Sequence, residues 1–541
     1  MADFEWAMPY TSQRMPVLAR NIVATSQPLA AQAGLRILQQ GGNAVDAAVA
    51  TAIAMTVLEP TTNGIGSDAF ALIWDPKGNS GKGRLHGLNA SGRAPMAVNP
   101  EKFTAMKSMP IKGWDPVTVP GAVSGWVMAS QKFGKLQFER LFEPAIDYAS
   151  NGFPVAPLTA ALWKRAVNAY KDFPEWGKTF LNDQGVAPET GDVFKMPGHA
   201  QTLRMISESH GEAFYRGILA KKIAATAHAE GGLMTVEDLA SHTADWVDPI
   251  SLEYGHQRLH EIPPNGQGIA ALIALGILKH FDVGKLAPDC PDVLHLQIEA
   301  MKLAFADAHQ YIADPGYMKV TCAEILDDQY LATRAKLIDP SKAQDFNFGT
   351  PKPGGTILLT TADADGMMVS WIQSQYMGFG SGAVIPGTGI AMQNRGACFE
   401  VTPGHVNQIG PGKRPYHTII PGFASRPGNN GDTPMMAFGV MGGFMQPQGH
   451  LQVFTRIFEY NQNPQAALDA PRWQVMAGMK VTIEPGYATS VYEELKNRGH
   501  DIELAEERSV SFGRGQAIYR LDNGTYCAGS DLRADGQAVG Y

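Results

Sequence analysis

The sequence predicts an α+β protein in which helices pack on the outside of stacked β-sheets. Residues 136 to about 309 show mainly helical patterns, whereas the chain beyond residue 356 has short apolar runs separated by turn residues, which is typical of strands. The composition, 44% apolar and 18% charged, is that of a globular protein with an ample core. Helical and strand-rich parts can share one chain when the helices cover the faces of the sheets.

Two helices are predicted near the start of the chain. Residues 28–40 have apolar side chains at helical spacing, begin with a proline and end at the pair Gly41-Gly42. Asn43 is expected to cap the next helix, residues 44–58, through its side-chain oxygen. Because this second helix is apolar on nearly all sides, we expect it to be buried.

A glycine-broken loop, residues 63–70, follows the second helix and leads into a strand at residues 71–74. Its small residues suit two structures equally well, a tight turn or a backbone that approaches a ligand closely. The later elements predicted are a strand at 258–262, a helix continuing through 302–312, a buried strand at 435–440, a helix at 448–460 and a hairpin that turns at 522–524.

The triplet Gly354-Gly355-Thr356 stands between a turn-rich run, residues 348–353, and a predicted hairpin of strands 357–361 and 367–372. A Thr in this position could attack the unshielded carbonyl of Gly355 and break the chain there. Thr356 would then carry a hydroxyl nucleophile and an α-amine whose pKa of roughly 7.7–8 lets it act as a base. The alternative is a plain hairpin after a glycine-rich linker.

Charge and cysteine content exclude several classes of function. The net charge of −8, a pI near 6.0 and scattered basic residues argue against nucleic acid or an anionic membrane as the main partner. Neither metal-ligand clusters nor a phosphate-binding loop stand out, so we expect no metal and no organic cofactor. Buried free thiols, rather than a disulfide framework or a zinc site, are expected for the four widely spaced cysteines, Cys290, Cys322, Cys398 and Cys527.

The expected location follows from the apolar stretches. Residues 1–6 include two acids and no apolar segment, which is not the pattern of a secretory signal. The longest mainly apolar stretch, residues 47–58, is too short to cross a bilayer. We therefore expect a cytoplasmic protein.

Several segments resemble the gamma-glutamyltranspeptidase superfamily, which belongs to the N-terminal-nucleophile hydrolases, and they lie in one order across nearly the whole chain. The matching segments are SQPLAAQAGLRILQQGGNAVDAAVA from Ser26, VPGAVSGW from Val119, GGLMTVEDLA from Gly231, EAMKLAFADAHQYIADP from Glu299, GGT at Gly354, GKRPYHTIIP from Gly412, MGGFMQPQGH from Met441 and the closing GSDLRADGQAVGY. With this resemblance, a functional role for Thr356 is favoured over the plain hairpin.

The resemblance implies a four-layer αββα sandwich and a proenzyme that cuts itself between Gly355 and Thr356. The products, residues 1–355 and 356–541, would stay associated as a heterodimer with one composite domain, and two heterodimers could pair. Thr356 would attack an amide, form an acyl-enzyme and pass the acyl group to water or an amine. Gly442 and Gly443 fall where the family places its oxyanion-hole amides. Ser374 falls where a hydroxyl supports the nucleophile, although an ordinary strand serine is an equally good interpretation.

The chain also departs from the pattern of the enzymes that act on glutamyl groups. Ile357 replaces a second Thr after the nucleophile, and Ser91 replaces an Arg that binds the substrate α-carboxylate, with Arg93 two residues further on. The residues aligned with the family's glutamyl-binding Asn, Gln, Asp and Ser-Ser are Tyr376, Arg395, Cys398 and the pair His417-Thr418.

These departures bear on the substrate. Cys398 provides no acidic partner for a glutamyl ammonium, whereas Arg395 and His417 suit a small anionic or uncharged acyl group. If a gap shifts the alignment, Asp68 is an acidic residue that could supply the missing contact. The pattern is similar to the branch that contains oxamate amidohydrolase and cephalosporin-acylase-like proteins. The candidate substrate-binding residues are Arg93, Tyr376, Arg395, His417 and Thr418.

The resulting hypothesis is a self-processing amidohydrolase that acts on a small carboxylate-bearing amide, with oxamate as the leading candidate. A glutathione hydrolase or transpeptidase is the alternative within the same chemistry. A non-catalytic homologue with a binding role is a third possibility, which the presence of Gly355, Thr356, Gly442 and Gly443 disfavours.

Overall fold

Two seven-stranded sheets lie face to face, and helices cover the outer face of each. The computed structural model describes residues 13–346 and 355–541. The turn-rich run at 348–353 and Gly354 lie outside the described residues. The four layers confirm the predicted α+β class and the αββα sandwich that the resemblance implies.

The strands are short, between two and nine residues. They are β1 Val17–Ala19, β2 Ile22–Thr25, β3 Asp68–Asp75, β4 Arg84–Ala90, β5 Phe153–Pro154, β6 Val193–Phe194, β7 Asp245–Val247, β8 Ile250–Tyr254, β9 Gln257–Glu261, β10 Gly355–Ala362, β11 Met368–Tyr376, β12 Gly422–Arg426, β13 Thr433–Met441, β14 Trp473–Ala477, β15 Lys480–Ile483, β16 Asp501–Leu504, β17 Arg514–Arg520, β18 Tyr526–Ser530 and β19 Gln537–Gly540.

The helices range from single turns to six turns in length. They are α1 Pro28–Gln39, α2 Ala44–Leu58, α3 Gly78–Gly81 (a turn with positive φ angles), α4 Ala122–Phe133, α5 Glu143–Asn151, α6 Pro157–Tyr170, α7 Pro174–Phe180, α8 Pro197–Glu208, α9 Glu212–Tyr215, α10 Ile218–Ala229, α11 Val236–Ala240, α12 Gly268–Leu278, α13 Pro291–Tyr311, α14 Cys322–Ile325, α15 Asp328–Ala335, α16 Met445–Phe458, α17 Pro464–Asp469 and α18 Thr489–Asn497. Short 3₁₀ turns lie at Pro100–Phe103, Phe138–Phe142, Val283–Lys285, Pro315–Tyr317, Arg395–Cys398 and Val510–Phe512.

Both large sheets combine strands from before and after Thr356. Sheet 1 has the order β19-β2-β10-β11-β3-β4-β7, and sheet 2 has the order β1-β18-β17-β13-β12-β9-β8. All the neighbouring pairs in these two sheets are antiparallel. Smaller sheets are formed by β14-β15-β16 and by β5-β6.

Three apolar layers hold the sandwich together. Leu358 and Ile372 of sheet 1 meet Phe423 of sheet 2 in the central layer. Helices α2 and α4 pack on the outer face of sheet 1, helices α12 and α16 pack on the outer face of sheet 2, and α13 packs against α12 and β14. Thr356 is the second residue of β10. It is buried at the edge of the central layer, between these surfaces.

Helix α2 forms where the sequence predicts it, and for the predicted reason. The Asn43 side chain accepts a hydrogen bond from the Asp46 amide at 2.9 Å, and the Asp46 carboxylate accepts one from the Asn43 amide at 3.0 Å. Every residue of α2 is buried, as its apolar composition predicts. The helix therefore forms a rigid support behind sheet 1.

The glycine-broken loop at 63–70 is tightly packed against the chain itself. A Cβ on Gly66 would lie 2.1 Å from the Ala391 carbonyl oxygen, and one on Gly64 would lie 2.6 Å from the Gln375 side chain. The glycines thus allow protein segments to approach closely, which favours the tight-turn interpretation over a ligand-binding one.

The interpretation of residues 136–309 as mainly helical is incomplete. Besides β9, which corresponds to the strand predicted at 258–262, this part contains the four short strands β5–β8. Strand β7 joins sheet 1, and β8 and β9 join sheet 2. Only Cys527 is buried among the four cysteines, the other three being half-buried, and none of them forms a disulfide within the described residues. The described helices include none with the length and apolar character needed to cross a membrane.

Candidate active site

Thr356 sits at a β-bulge between β10 and β11. Gly355 pairs with Tyr376 and Ile357 pairs with Gln373, so two residues of β11, one of them Ser374, lie opposite Thr356. Tyr376 has a φ of 82°, an unusual conformation for a residue with a side chain. The bulge bends β11 and turns Ser374 toward Thr356.

Ser374 is the centre of a buried hydrogen-bond network. Its hydroxyl donates to the Gly355 carbonyl at 2.6 Å and accepts from the Thr356 hydroxyl at 3.2 Å. The Tyr376 amide and the Arg395 Nη2 also donate to the Ser374 oxygen, at 2.8 Å and 2.9 Å. One side chain therefore contacts both the candidate nucleophile and the carbonyl of the predicted cleavage bond.

Arg395 is a fully buried guanidinium that makes no direct ion pair among the described residues. Its Nη1 donates to the Thr418 hydroxyl at 2.7 Å, and its guanidinium carbon lies 4.8 Å from the centre of the Tyr376 ring. Within residues 13–346 and 355–541, no carboxylate lies within ion-pair distance of Arg395, although its charge lowers the pKa of Asp68, and the Arg395 Nε makes no hydrogen bond. A buried charge in this state attracts an anion.

His417 lies beside Asp68, the first residue of β3. The His417 Nε2 is 3.0 Å from Asp68 Oδ2, and the His417 Nδ1 accepts a hydrogen bond from the Ile419 amide at 3.3 Å. Burial lowers the pKa of His417 to about 3, so the imidazole is neutral and its Nε2–H donates to the carboxylate. Burial acts to raise the pKa of Asp68, but the hydrogen bond from His417 and the positive charge of Arg395 hold that pKa below its ordinary value.

Asp68 is therefore a carboxylate near the site, but its oxygens are already in use. Oδ2 faces His417, and Oδ1 accepts hydrogen bonds from the amides of Gly92 and Gly121 and from the Gln393 side chain, at 2.9–3.1 Å. Asp68 thus holds three chain segments together. It offers little capacity for a substrate ammonium, the role that a shifted alignment would give it.

Gly442 and Gly443 connect β13 to α16. Their φ angles, 133° and 61°, are in the range that favours glycine. Among the described residues, neither of the two amides donates a hydrogen bond. Gln267 donates to the carbonyl of Gly443 at 2.8 Å and to that of Thr418 at 2.6 Å, which ties this turn to the segment that carries His417.

A cavity of about 370 Å³ opens beside Thr356, and Gly442 also lines it. Its walls are largely apolar, with Met377, Phe379 and Met441 among them. The charged side chains that line it, Lys112, Arg165 and Arg514, are all cationic. The cavity therefore suits a substrate with an apolar body and negative charge.

Arg93 is not brought to this site. Its Nη1 lies 3.2 Å from Asp314 Oδ2 and donates to the Gly412 carbonyl at 3.0 Å, with the side chain about half exposed. Among the candidate residues, Gly355, Thr356 and Gly442 line the cavity beside Thr356, whereas Arg93, Ser374, Tyr376, Arg395, His417 and Thr418 do not. The other candidate residues, Thr356, Ser374, Tyr376, Arg395, His417 and Thr418, form one connected cluster with Gly355.

Two site residues escape motif-based reasoning. Arg514 Nη2 donates to the Thr356 carbonyl at 3.2 Å, and Arg514 Nη1 lies 2.7 Å from Glu59 Oε1. Both belong to ordinary contexts in the sequence, a strand start and a helix end, and they are far apart along the chain. The only sequence signal is a charged residue bordering a predicted apolar element.

A separate buried cluster resembles a metal site in composition. The ligand atoms of His295, Glu299 and His500 lie within 4.8 Å of one another. The Lys302 ammonium is 2.7 Å from Glu299 Oε1 and 3.4 Å from His500 Nδ1, with both side chains of the Lys302–Glu299 pair fully buried. A cationic group of the chain thus already occupies the position that a metal ion would take.

Comparison with known proteins places these residues in a family context. The family model described as Gamma-glutamyltranspeptidase matches residues 30–541. The oxamate amidohydrolase proenzyme of Klebsiella pneumoniae is 35% identical over 524 residues, covering 95% of this chain and 97% of its own. The glutathione hydrolase-like YwrD proenzyme of Bacillus subtilis is 32% identical, covering 96% and 98%. A crystal structure of cephalosporin acylase from Bacillus halodurans is 49% identical, with a TM-score of 0.94 and coverage of 100% and 99%.

Proposed function

Since the chain belongs to the gamma-glutamyltranspeptidase family, whose relatives are amide hydrolases and acylases made as proenzymes, we propose that Thr356 is its nucleophile. The chain is an N-terminal-nucleophile amidohydrolase. In this proposal it first cuts its own Gly355–Thr356 bond and then hydrolyses a small amide that carries a carboxylate.

Self-processing uses the contacts around Ser374. The Thr356 oxygen forms an ester with the Gly355 carbonyl carbon while the Gly355–Thr356 C–N bond breaks, and water then hydrolyses the ester. Ser374 donates to the Gly355 carbonyl and polarises it for attack, since its hydroxyl lies 2.6 Å from that oxygen. The reaction leaves a free α-amine on Thr356, which can accept the proton of the Thr356 hydroxyl in later turnovers.

Substrate turnover repeats this chemistry on an external amide. Thr356 attacks the amide carbonyl, the nitrogen leaves as an amine or ammonia after protonation, and water releases the acid from the acyl-enzyme. The unpaired amides of Gly442 and Gly443 are the proposed donors to the oxyanion.

The preference for an acid is proposed from one observation, the buried Arg395, which makes no ion pair with a carboxylate in the part of the chain that the structure describes. A carboxylate on the acyl group would pair with this guanidinium through charge-assisted hydrogen bonds. Oxamate, the substrate for which the Klebsiella relative is named, is the specific candidate. A glutamyl donor would also bring an ammonium, and the carboxylate of Asp68 is already saturated with donors.

The first test concerns processing and substrate class together. Purified protein should run as two fragments, the smaller beginning Thr-Ile-Leu-Leu, and Thr356→Ala should remain one chain. The processed enzyme should release ammonia from oxamate faster than it hydrolyses a gamma-glutamyl anilide. Complete cleavage of Thr356→Ala would overturn the nucleophile assignment, and efficient gamma-glutamyl turnover would favour the glutathione hydrolase alternative.

Arginine variants locate the carboxylate anchor. Arg395→Gln should raise KM for oxamate by roughly 10–100-fold, because it removes one charge-assisted hydrogen bond worth about 1.5–3 kcal/mol. Arg93→Gln is the matched control, because its guanidinium is half exposed and paired with Asp314. If Arg93→Gln raises KM and Arg395→Gln does not, the anchor is misassigned.

A cytoplasmic location and the pairing of two heterodimers remain part of the proposal.

A further inference from the structure

The carbonyl of Thr356 lacks a partner in its own sheet. Strand β2 pairs with β10 only along Leu359–Ala362, because β2 ends at Thr25 and the chain turns into α1. The Thr25 hydroxyl donates to the Leu358 carbonyl at 3.0 Å, which extends the ladder by one bond. Two residues earlier on the same side of the strand, the Thr356 carbonyl receives its hydrogen bond from Arg514 instead.

Arg514 is itself held in a fixed position by Glu59. Besides the Arg514 contact, Glu59 Oε1 accepts from the Thr62 hydroxyl at 2.9 Å, and Glu59 Oε2 accepts from the Ser26 hydroxyl at 2.6 Å. The Arg514 and Glu59 side chains are 6% and 1% exposed. Such a buried, hydrogen-bonded ion pair restrains both side chains.

We propose that Arg514 is a positioning residue for Thr356, with Glu59 as its anchor. This inference rests on the proposed role of Thr356 as the nucleophile. Before cleavage, Thr356 is restrained on both sides by the chain, whereas after cleavage it is the first residue of a strand, and free chain ends are the least ordered parts of a fold. The Arg514 hydrogen bond then replaces the covalent restraint and keeps the Thr356 hydroxyl next to Ser374.

The position of the guanidinium makes this testable by chemical rescue. Arg514 lines the cavity beside Thr356, so its truncation to alanine leaves a space that is connected to solvent. A free guanidinium ion at millimolar concentration can enter such a space and bind both Glu59 and the Thr356 carbonyl. A side chain that only stabilised the fold would not show this rescue of turnover.

The experiment measures processing, kcat and KM in Arg514→Ala, Arg514→Lys and Glu59→Gln. We expect kcat of Arg514→Ala to fall about 100-fold, since small misplacement of a reacting group costs about that much, with KM changed less than kcat. Added guanidinium should raise the kcat of Arg514→Ala at least 10-fold. Arg514→Lys and Glu59→Gln should be intermediate, because each keeps part of the bridge. Arg508→Gln, an exposed arginine that donates to the Asp469 carbonyl, is the control and should match the parent.

The outcomes separate this inference from the nucleophile assignment. Parent-like kcat in Arg514→Ala, or a loss that guanidinium does not restore in a folded variant, would overturn the positioning role. If Arg514→Ala does not fold, the kcat of Glu59→Gln decides, because glutamine keeps the shape and the oxygen acceptor of the anchor. Cleavage and activity in Thr356→Ala would instead overturn the nucleophile itself.

Discussion

Gly442 combines an unpaired amide with a backbone conformation that only glycine adopts easily. Gly442→Ala should lower kcat about 10²–10³-fold, as loss of one oxyanion donor does, because a side chain at this positive φ would strain the turn and displace the amide proposed as the donor. Kinetics of the processed enzyme measure this. Gly404→Ala is the matched control, since Gly404 also has a positive φ of 80° and open space around it. Equal losses of kcat in Gly442→Ala and Gly404→Ala would indicate that backbone strain alone causes the effect.

At the same scale, the sequence named the residues that motifs mark and missed Arg514 and Glu59, which only the fold brings to Thr356. Thr356, Ser374 and Arg395 form one cluster, as the resemblance implied. Asp68 and His417 lie on different strands and loops, and their pairing depends on tertiary structure. Arg93 was predicted to bind substrate because it lies two residues from the position of the family's substrate-binding Arg. In the structure its side chain points away from the site and pairs with Asp314.

At the scale of elements, helix α13 carries the buried Lys302–Glu299 pair. Lys302→Met should lower the free energy of unfolding by about 3–5 kcal/mol, because it leaves the Glu299 carboxylate buried without its cation. Denaturant unfolding measures this. Lys285→Met provides the comparison, since Lys285 pairs with Asp282 at 2.6 Å on the surface and its removal should cause no measurable change. A parent-like stability for Lys302→Met would contradict the importance of this pair.

Long elements with clear end signals were predictable, and short edge elements were not. Helix α2 has a capping residue, a mainly apolar composition and a terminating proline, so its bounds follow from the sequence. Strand β7 has three half-buried residues, and β5 has two residues, so neither contains enough alternation to show a period. Their strand conformation comes from the neighbouring strands with which they pair.

For the whole molecule, buried neutral histidines predict loss of stability in mild acid. Burial lowers the pKa of His199, His242 and His260 to about 4, against about 6.5 when the chain is unfolded. Their contribution is complete above pH 6.5 and is lost as the pH falls toward 4, because the unfolded chain then binds more protons. Each should cost on the order of 2 kcal/mol between pH 7 and pH 5.

Thermal unfolding at pH 7 and pH 5 tests this expectation. His199→Gln should reduce the difference in unfolding temperature between the two conditions, because it removes one of the buried groups that must charge. The exposed His228→Gln should leave the difference unchanged. Burial raises the pKa of Asp46 and Glu261, which opposes the histidines at lower pH. An unfolding temperature that rises from pH 7 to pH 5 would contradict the prediction.

The mixing of strands from both sides of Thr356 has a consequence for how the mature protein can be recovered after denaturation. In sheet 1, β10 and β11 lie between β2 and β3, so neither half of the chain can complete this sheet alone. An uncut chain refolds at a rate that is independent of its concentration. After the cut, two separate polypeptides must meet and interleave, so regain of activity should depend on concentration and fail on dilution. In the proposed maturation, folding would therefore precede cleavage, and the cut would make the completed fold difficult to re-form.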